Sequence, residues 1–334
     1  MKSVEQNHTA ASNAPEQIFI VGMNGSGTTM LLDHLANHPS IFGFPTETKS
    51  LPFFIKQEAA YGDLNDEKNY LRLWNDMKES VVEGTSQSCQ EIPAPEVHVR
   101  SAASAFNHIM RHLAQAQGKQ IWCEKTPMHV HHLGLLAQAF PDAKFIHIIR
   151  DGRDCAASFH RRWRFNPVRT VFRWKRAVSE GREQGHRLRA RYFEVRYEDI
   201  TEAPEAEFRR LFSFLAIPFE PSVLSSERSR LGAVGSGAGE VTRNVRRAEG
   251  YFSPRLVRSM ERVGGRLLTE LGYSCDERDG DQDPGRWQLK WWQVTDDFRR
   301  FWTLLFRKGR ILKPSKWGYV LNRVRSAVKQ KSTS

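Results

Sequence analysis

The sequence predicts an α/β protein, a mostly parallel sheet flanked by helices with a basic, aromatic helical extension at its C-terminal end. Two short runs, the wholly apolar 18–21 and 145–149, apolar apart from His147, have the composition of strands buried on both faces. Each is followed by a turn and then by helical periodicity, the alternation that builds crossover units. Right-handed crossovers bring the C-terminal ends of such strands, and the loops after them, to one edge.

Taken in order, residues 1–16 are polar and read as a disordered lead-in. Strand 18–21 ends in a glycine-rich turn. Helical patterning follows over 28–37 (Met30, Leu31, Leu32, Leu35) and stops near Pro39. A helix is expected over 97–117, a short strand at 121–123 and a helix over 129–139 leading to Pro141. Strand 145–149 runs into a helix to about residue 164. A strand at 192–196 is followed by helices 205–215 and 254–271, the latter closing at Gly272. Stretches 50–95 and 160–190 carry no readable pattern. Residues 232–239 form a glycine-rich, flexible loop of the kind that lies over a site, and 276–285 form a polar linker. The expected body is therefore 17–275, and the tail is 286–334.

At 334 residues the chain suits one large domain or two modest ones, at about 100–200 residues each. Its net charge of +12 is unevenly placed. From Asp281 onward there are 13 Lys and Arg against 4 Asp and Glu, leaving +3 for everything before. Basic charge confined to a tail without a known binding motif argues against a nucleic-acid partner. The four cysteines are scattered and lack metal-ligand spacing, as in a reducing compartment. No stretch approaches the roughly 18 apolar residues of a spanning helix, and the N-terminus lacks a signal peptide's apolar run. The expected location is cytoplasmic, and no metal is expected.

The most informative segment is Gly22-Met23-Asn24-Gly25-Ser26-Gly27-Thr28-Thr29, between a strand and a helix. There backbone N–H groups and a helix N-terminus converge on an anion, as in a P-loop-type sheet. The spacing is that of a Walker A loop, but Thr28 stands where the lysine belongs. That lysine reaches the β- and γ-phosphates of a triphosphate, so its absence favours a ligand with one 5′-phosphate.

Gly25-Ser26-Gly27-Thr28-Thr29 after a strand resembles the 5′-phosphosulfate loop of sulfotransferases that use 3′-phosphoadenosine-5′-phosphosulfate (PAPS). A strand-end Arg150 followed eight residues later by Ser158 is similar to that family's 3′-phosphate segment. Arginine suits the role because its planar fork bonds two phosphate oxygens. His38 to Lys49, Trp122-Cys123-Glu124-Lys125-Thr126-Pro127, and strand 192–196 with a closing Leu271-Gly272-Tyr273 match the branch containing carbohydrate and protein-tyrosine sulfotransferases. The resemblance spans residues 17–273. It implies PAPS as the donor, with Asn24, Gly25, Ser26, Gly27, Thr28, Thr29, Arg150 and Ser158 holding it.

The same resemblance implies Glu47 as the catalytic base and Lys125 as the cation facing the sulfuryl and leaving oxygens. Glu124 is placed to orient the lysine, and His129, His131 and His132 are rival bases. One position departs from the pattern. Many relatives carry a basic residue just before Ser-Gly-Thr-Thr, and here it is Gly25. Lys125 then acts alone, or Arg243, Arg246 or Arg247 replaces the missing charge, or the chain is a non-catalytic relative. A P-loop kinase or NTPase is the other alternative.

In the tail, positions 287, 291, 294, 298, 301/302 and 305 make an apolar stripe at helical spacing. Two readings stay open. The helix packs on the body, or it lies at a membrane surface with its bases on anionic lipid. The second suits a lipid-linked sugar or glycolipid acceptor on the inner face of the membrane, and the acceptor expected overall is a hydroxyl of a saccharide or lipid-linked saccharide.

Overall fold

The computed structural model describes residues 15–82, 92–95, 99–225 and 247–307. Strands β1 (Gln17–Gly22), β2 (Ile41–Gly43), β3 (Ile121–Lys125), β4 (Lys144–Ile149) and β5 (Tyr192–Arg196) form one sheet. Its order is β2-β3-β1-β4-β5, and every pairing is parallel. Central β1 is bonded to β3 on one side and β4 on the other, with Ile20 opposite Lys125 and Gly22 opposite Ile148. All five strands therefore end on a common rim.

Alternation along β1 supplies both faces of the sheet. Ile18 and Ile20 face a core with Leu31, Leu32 and Leu35 of α1 (Thr28–Ala36). That core also takes residues from α8 (Tyr197–Glu202) and α9 (Pro204–Leu215). Phe19 and Val21 face the larger core. There Phe19 stacks on Phe145 at 5.3 Å between ring centroids and meets the Trp122 edge at 5.2 Å. This side is covered by α2 (Leu51–Lys56), α3 (Glu67–Val82), α4 (Ala102–Gln115), α5 (Leu133–Ala139), α6 (Gly152–Trp163), α7 (Pro167–His186), α10 (Arg247–Tyr251) and α11 (Pro254–Glu270). Helix α12 (Arg286–Arg307) follows.

The predicted strands and most of the predicted helices are found, with several differences. Edge strand β2 was not foreseen, because three residues followed by Phe44 and Pro45 give too short a run. Helix α4 begins at Ala102 rather than 97, fixed by a capping box between Ser101 and Ser104. The helix expected over 129–139 is a 3₁₀ turn, Pro127–His132, followed by α5. Helix α7 spans most of the stretch that carried no pattern. Its buried face includes Thr170, Gly181 and Gly185 beside Val171, Trp174 and Val178, so apolar periodicity is diluted. A Cβ on Gly181 would come within 2.7 Å of the His147 ring, which explains why this helix accepts glycine.

The polar stretch 276–285 is tied along α11 rather than hanging free. Arg266 N–H donates to Gly280 O at 2.9 Å, Gln282 N–H donates to Arg262 O at 2.8 Å, and Lys175 pairs with Asp281 at 2.8 Å. The lead-in up to residue 14, the glycine-rich loop 232–239, Arg243 and Arg246 lie outside the described residues.

The β4–α6 turn is held from several sides. Trp174, fully buried, donates its indole N–H to Arg150 O at 2.9 Å, and Glu198 accepts from Asp151 N–H at 3.1 Å. Gly152 lies so close to the indole that an added Cβ would overlap it. Gly152→Ala is therefore expected to destabilise the fold by about 1–3 kcal/mol through overpacking, read as a lower midpoint in urea denaturation.

Candidate active site

The rim collects contributions from the ends of β1, β4, β3 and β2. From β1 comes the glycine loop. Gly22 has φ 154°, Gly25 φ 91° and Gly27 φ 103°, conformations that favour glycine. A Cβ on Gly22 would lie 2.5 Å from Ile148 O, and one on Gly27 would lie 2.5 Å from the Tyr197 ring. Gly27 is the N-cap of α1 with no side chain capping it, so the first N–H groups of the helix point at the loop without intrahelical partners. Ser26 is fully buried, and its Oγ has no hydrogen-bond partner. An uncapped helix start and an orphaned hydroxyl in a glycine cradle fit an anionic group. Asn24 and Thr29 are half-buried beside it, and Thr28 is buried.

From β4 comes Arg150. Its Nη1 donates to Gly25 O at 3.1 Å, its guanidinium lies 4.3 Å from the Tyr197 ring centroid, and Asp154 Oδ2 is 3.5 Å from Nη2. The glycine loop and Arg150 thus open on the same edge. Gly25 also packs beside α6, where its Cβ would sit 3.6 Å from Cys155 O and Phe159. Ser158 is on α6, half-buried. Arg162, which sequence reasoning missed, follows one turn later on the same face of α6. Partial desolvation first, then the charges of Arg161 and Arg150, draws its pKa down, so its guanidinium is within electrostatic reach of Arg150. The signal was available, since Ser158 and Arg162 are spaced i, i+4. Ala248 N–H donates to Asp154 Oδ1 at 3.0 Å, which brings α10 back to this edge; only the backbone of Arg247 is described there.

From β3 and the segment after β2 comes an ion pair. Lys125 Nζ lies 3.1 Å from Glu47 Oε1, and Glu47 Oε2 is 3.1 Å from exposed Lys49. Burial pushes the Glu47 pKa up, but Lys125 and Lys49 outweigh it and hold the carboxylate below its ordinary value. Asp33, one turn into α1, is raised to about 6 by burial against a partial offset from Lys125.

Glu124, expected to orient the lysine, faces the other side of β3. Completely buried, it accepts from Thr48 N–H at 3.3 Å and from the Thr126 hydroxyl, with His129 Nδ1 3.3 Å from its second oxygen. Burial would raise its pKa, and the His129 charge with these hydrogen bonds overcomes that and lowers it. His129 Nε2 lies 3.2 Å from Thr48 O. Both ring nitrogens face acceptor oxygens of this buried network. His131 Nδ1 is 2.5 Å from Glu180, and His132 is lowered to about 4, by burial and then by Lys56. Of the four candidate bases, Glu47 is the one paired with Lys125. Among the described residues no group of three or more His, Cys, Asp or Glu is arranged to hold a metal.

The fold and this rim define an α/β protein with a P-loop-type glycine turn, and sequence comparison makes the class specific. The chain belongs to the sulfotransferase family, whose profile matches residues 15–221. It is 28% identical over 237 residues to protein-tyrosine sulfotransferase 1 of Danio rerio, covering 68% of this chain and 61% of that protein. To protein-tyrosine sulfotransferase A of Caenorhabditis elegans it is 27% identical over 219 residues, covering 63% and 52%. The chain thus spans about half to three fifths of these relatives' length. Among solved structures, the sulfotransferase domain of the Synechococcus PCC 7002 olefin synthase superposes with a TM-score of 0.54 at 20% identity, covering 81% of this chain and 100% of that one.

Glu124→Ala would take away the buried carboxylate that Thr48 N–H, the Thr126 hydroxyl and His129 share. Glu124→Ala is expected to cost about 3–5 kcal/mol at neutral pH. A carboxylate whose folded pKa is depressed contributes stability above its unfolded value and loses it as pH falls through the folded one. The gap between variant and parent in urea denaturation should therefore narrow below the ordinary glutamate range.

Proposed function

We propose that the protein transfers a sulfuryl group from PAPS to a hydroxyl acceptor. The observation that carries this reading is the shared edge of the glycine loop and Arg150, bonded at 3.1 Å, with the Lys125–Glu47 pair on the adjacent strand end. Two anion sites on one rim match a nucleotide carrying a 5′-phosphosulfate and a 3′-phosphate better than a triphosphate. Residues 22–29 would hold the 5′ end. Arg150, Ser158 and Arg162 would hold the 3′-phosphate.

In the transfer, the acceptor oxygen forms a bond to sulfur as the bond from sulfur to the 5′-phosphate oxygen breaks. The electron pair of that bond goes to the phosphate oxygen. Lys125 stabilises the charge gathering there, a role suited to a fixed cation in a partly dehydrated site. Glu47 takes the acceptor's proton. With Gly25 in the place of the family's basic residue, Lys125 would carry this role from the end of β3. A side chain at Gly25 would also have to adopt φ 91°.

A carboxylate held below its ordinary pKa is a weak base. It suits a phenolic hydroxyl, with a pKa of about 10, better than the less acidic hydroxyl of a saccharide. Relatives named protein-tyrosine sulfotransferases support the same acceptor class. A tyrosyl hydroxyl is therefore the acceptor proposed here.

Thermal stabilisation by 3′,5′-ADP and not by ATP with Mg²⁺ is the expected binding signature. Arg150→Ala should weaken 3′,5′-ADP by about 1.5–3 kcal/mol in calorimetry, as for a charged hydrogen-bond partner, and unchanged affinity would remove it from the site. Radiolabelled PAPS incubated with tyrosine peptides and with oligosaccharides should label the peptides. Label on saccharide alone would reverse the acceptor reading. Lys125→Ala and Glu47→Gln should abolish transfer while 3′,5′-ADP still binds, and full activity in both would refute their roles.

A further inference from the structure

Helix α12 turns the described part of its apolar stripe, up to Phe298, away from the body. An amphipathic helix on a globular body turns its apolar stripe inward. Here the stripe faces out, with Trp287 83%, Trp291 68%, Val294 64% and Phe298 61% exposed. The inward face is pinned by polar contacts instead. Asp296 is 1% exposed, accepts from Asn166 N–H at 2.8 Å, and pairs with Arg169 Nη1 at 2.7 Å. Asn166 in turn caps α7, so the pin fixes α12 to the start of that helix. Leu289, Trp292 and Thr295, half-buried, share the inner side, and the Arg300 guanidinium lies over the Trp163 ring of α6. Water has little reason to retain such a surface, since two indoles and a valine in line form an apolar patch of the kind that marks contact with something else.

The charges around the stripe indicate what that partner is. Arg286 and Lys290 border it, and Lys290 Nζ sits 5.2 Å from the Trp287 ring centroid. Five Lys and Arg lie on α12 against two Asp, one of which is consumed by Arg169. The sequence after Arg307 adds eight Lys and Arg and no Asp or Glu. A second copy of the chain, docked by the same face, would set these bases against each other. An anionic bilayer meets both requirements, because indoles lie at headgroup depth and nearby ammonium and guanidinium groups meet lipid phosphates. No described helix is long and apolar enough to cross a membrane, so the contact is in plane.

We propose that the outward face of α12, formed by Trp287, Trp291, Val294 and Phe298 and bordered by Arg286 and Lys290, docks in the plane of an anionic lipid surface. The inference rests on the exposed face of α12 alone and does not depend on the transfer reading.

Flotation of the full chain with vesicles tests it, using phosphatidylcholine alone and with about a third phosphatidylglycerol. The chain should float with the anionic vesicles, show a blue-shifted tryptophan emission, and be released by added salt. The exposed double variant Trp287→Ser/Trp291→Ser should keep its melting midpoint and lose about ten-fold or more of the partitioning. Arg286→Glu/Lys290→Glu should lose several-fold. Absence of wild-type flotation with both vesicle types would overturn the proposal. So would wild-type partitioning by the tryptophan double variant, which would assign binding to basic charge alone. Sedimentation showing a stable dimer that this variant dissociates, without vesicle binding, would assign the face to a second copy instead.

Discussion

The constraint on which the rest depends is the position of β1 at the centre of a parallel sheet, bonded to β3 and β4 at once. Parallel pairing makes neighbouring strands finish on the same side. Lys125 and Arg150 therefore flank the glycine loop without any long-range search by the chain. The bond from Arg150 to Gly25 O follows from that placement, and so does the meeting of Lys125 with Glu47. Glycine in the loop is a consequence too. The backbone must turn between Ile148 and Tyr197, where a Cβ has no room.

Strand β3 shows how a two-residue periodicity divides labour. Lys125 faces the rim, and Glu124, one step earlier, enters the interior. There it gathers Thr48, Thr126 and His129 into a buried network. Thr48 directly follows Glu47, so the network fixes the segment carrying the carboxylate on one side of the strand while the lysine meets that carboxylate on the other. Burial of an ion pair is costly unless its remaining oxygens and protons are bonded, and here Thr48 and Thr126 supply those bonds. The histidines that sequence reading weighed as bases are engaged elsewhere for similar reasons, His129 within this network and His131 on Glu180.

The C-terminal helix separates pattern from orientation. Its stripe is legible from spacing alone, but spacing does not say which side meets the body. Asp296 decides that, since an aspartate paired with Arg169 and the α7 cap is held more specifically than tryptophans that any apolar surface would satisfy. The four-residue step that marks a helix cannot register a partner 127 positions away.

By itself the sequence determined the α/β class, four of the five strands, and the glycine turn that precedes α1. Those signals are local: apolar runs, glycines at turn positions, and helical spacing of apolar residues. It did not determine β2, α7, the partner of Glu124 or the outward stripe of α12. Each depends on tertiary contact: pairing for a three-residue strand, glycines shaped by His147 and Tyr192, a carboxylate matched to a histidine, and an aspartate matched to an arginine. Only the folded chain brings those partners within bonding distance, because strand order, not sequence order, sets which side chains share an environment.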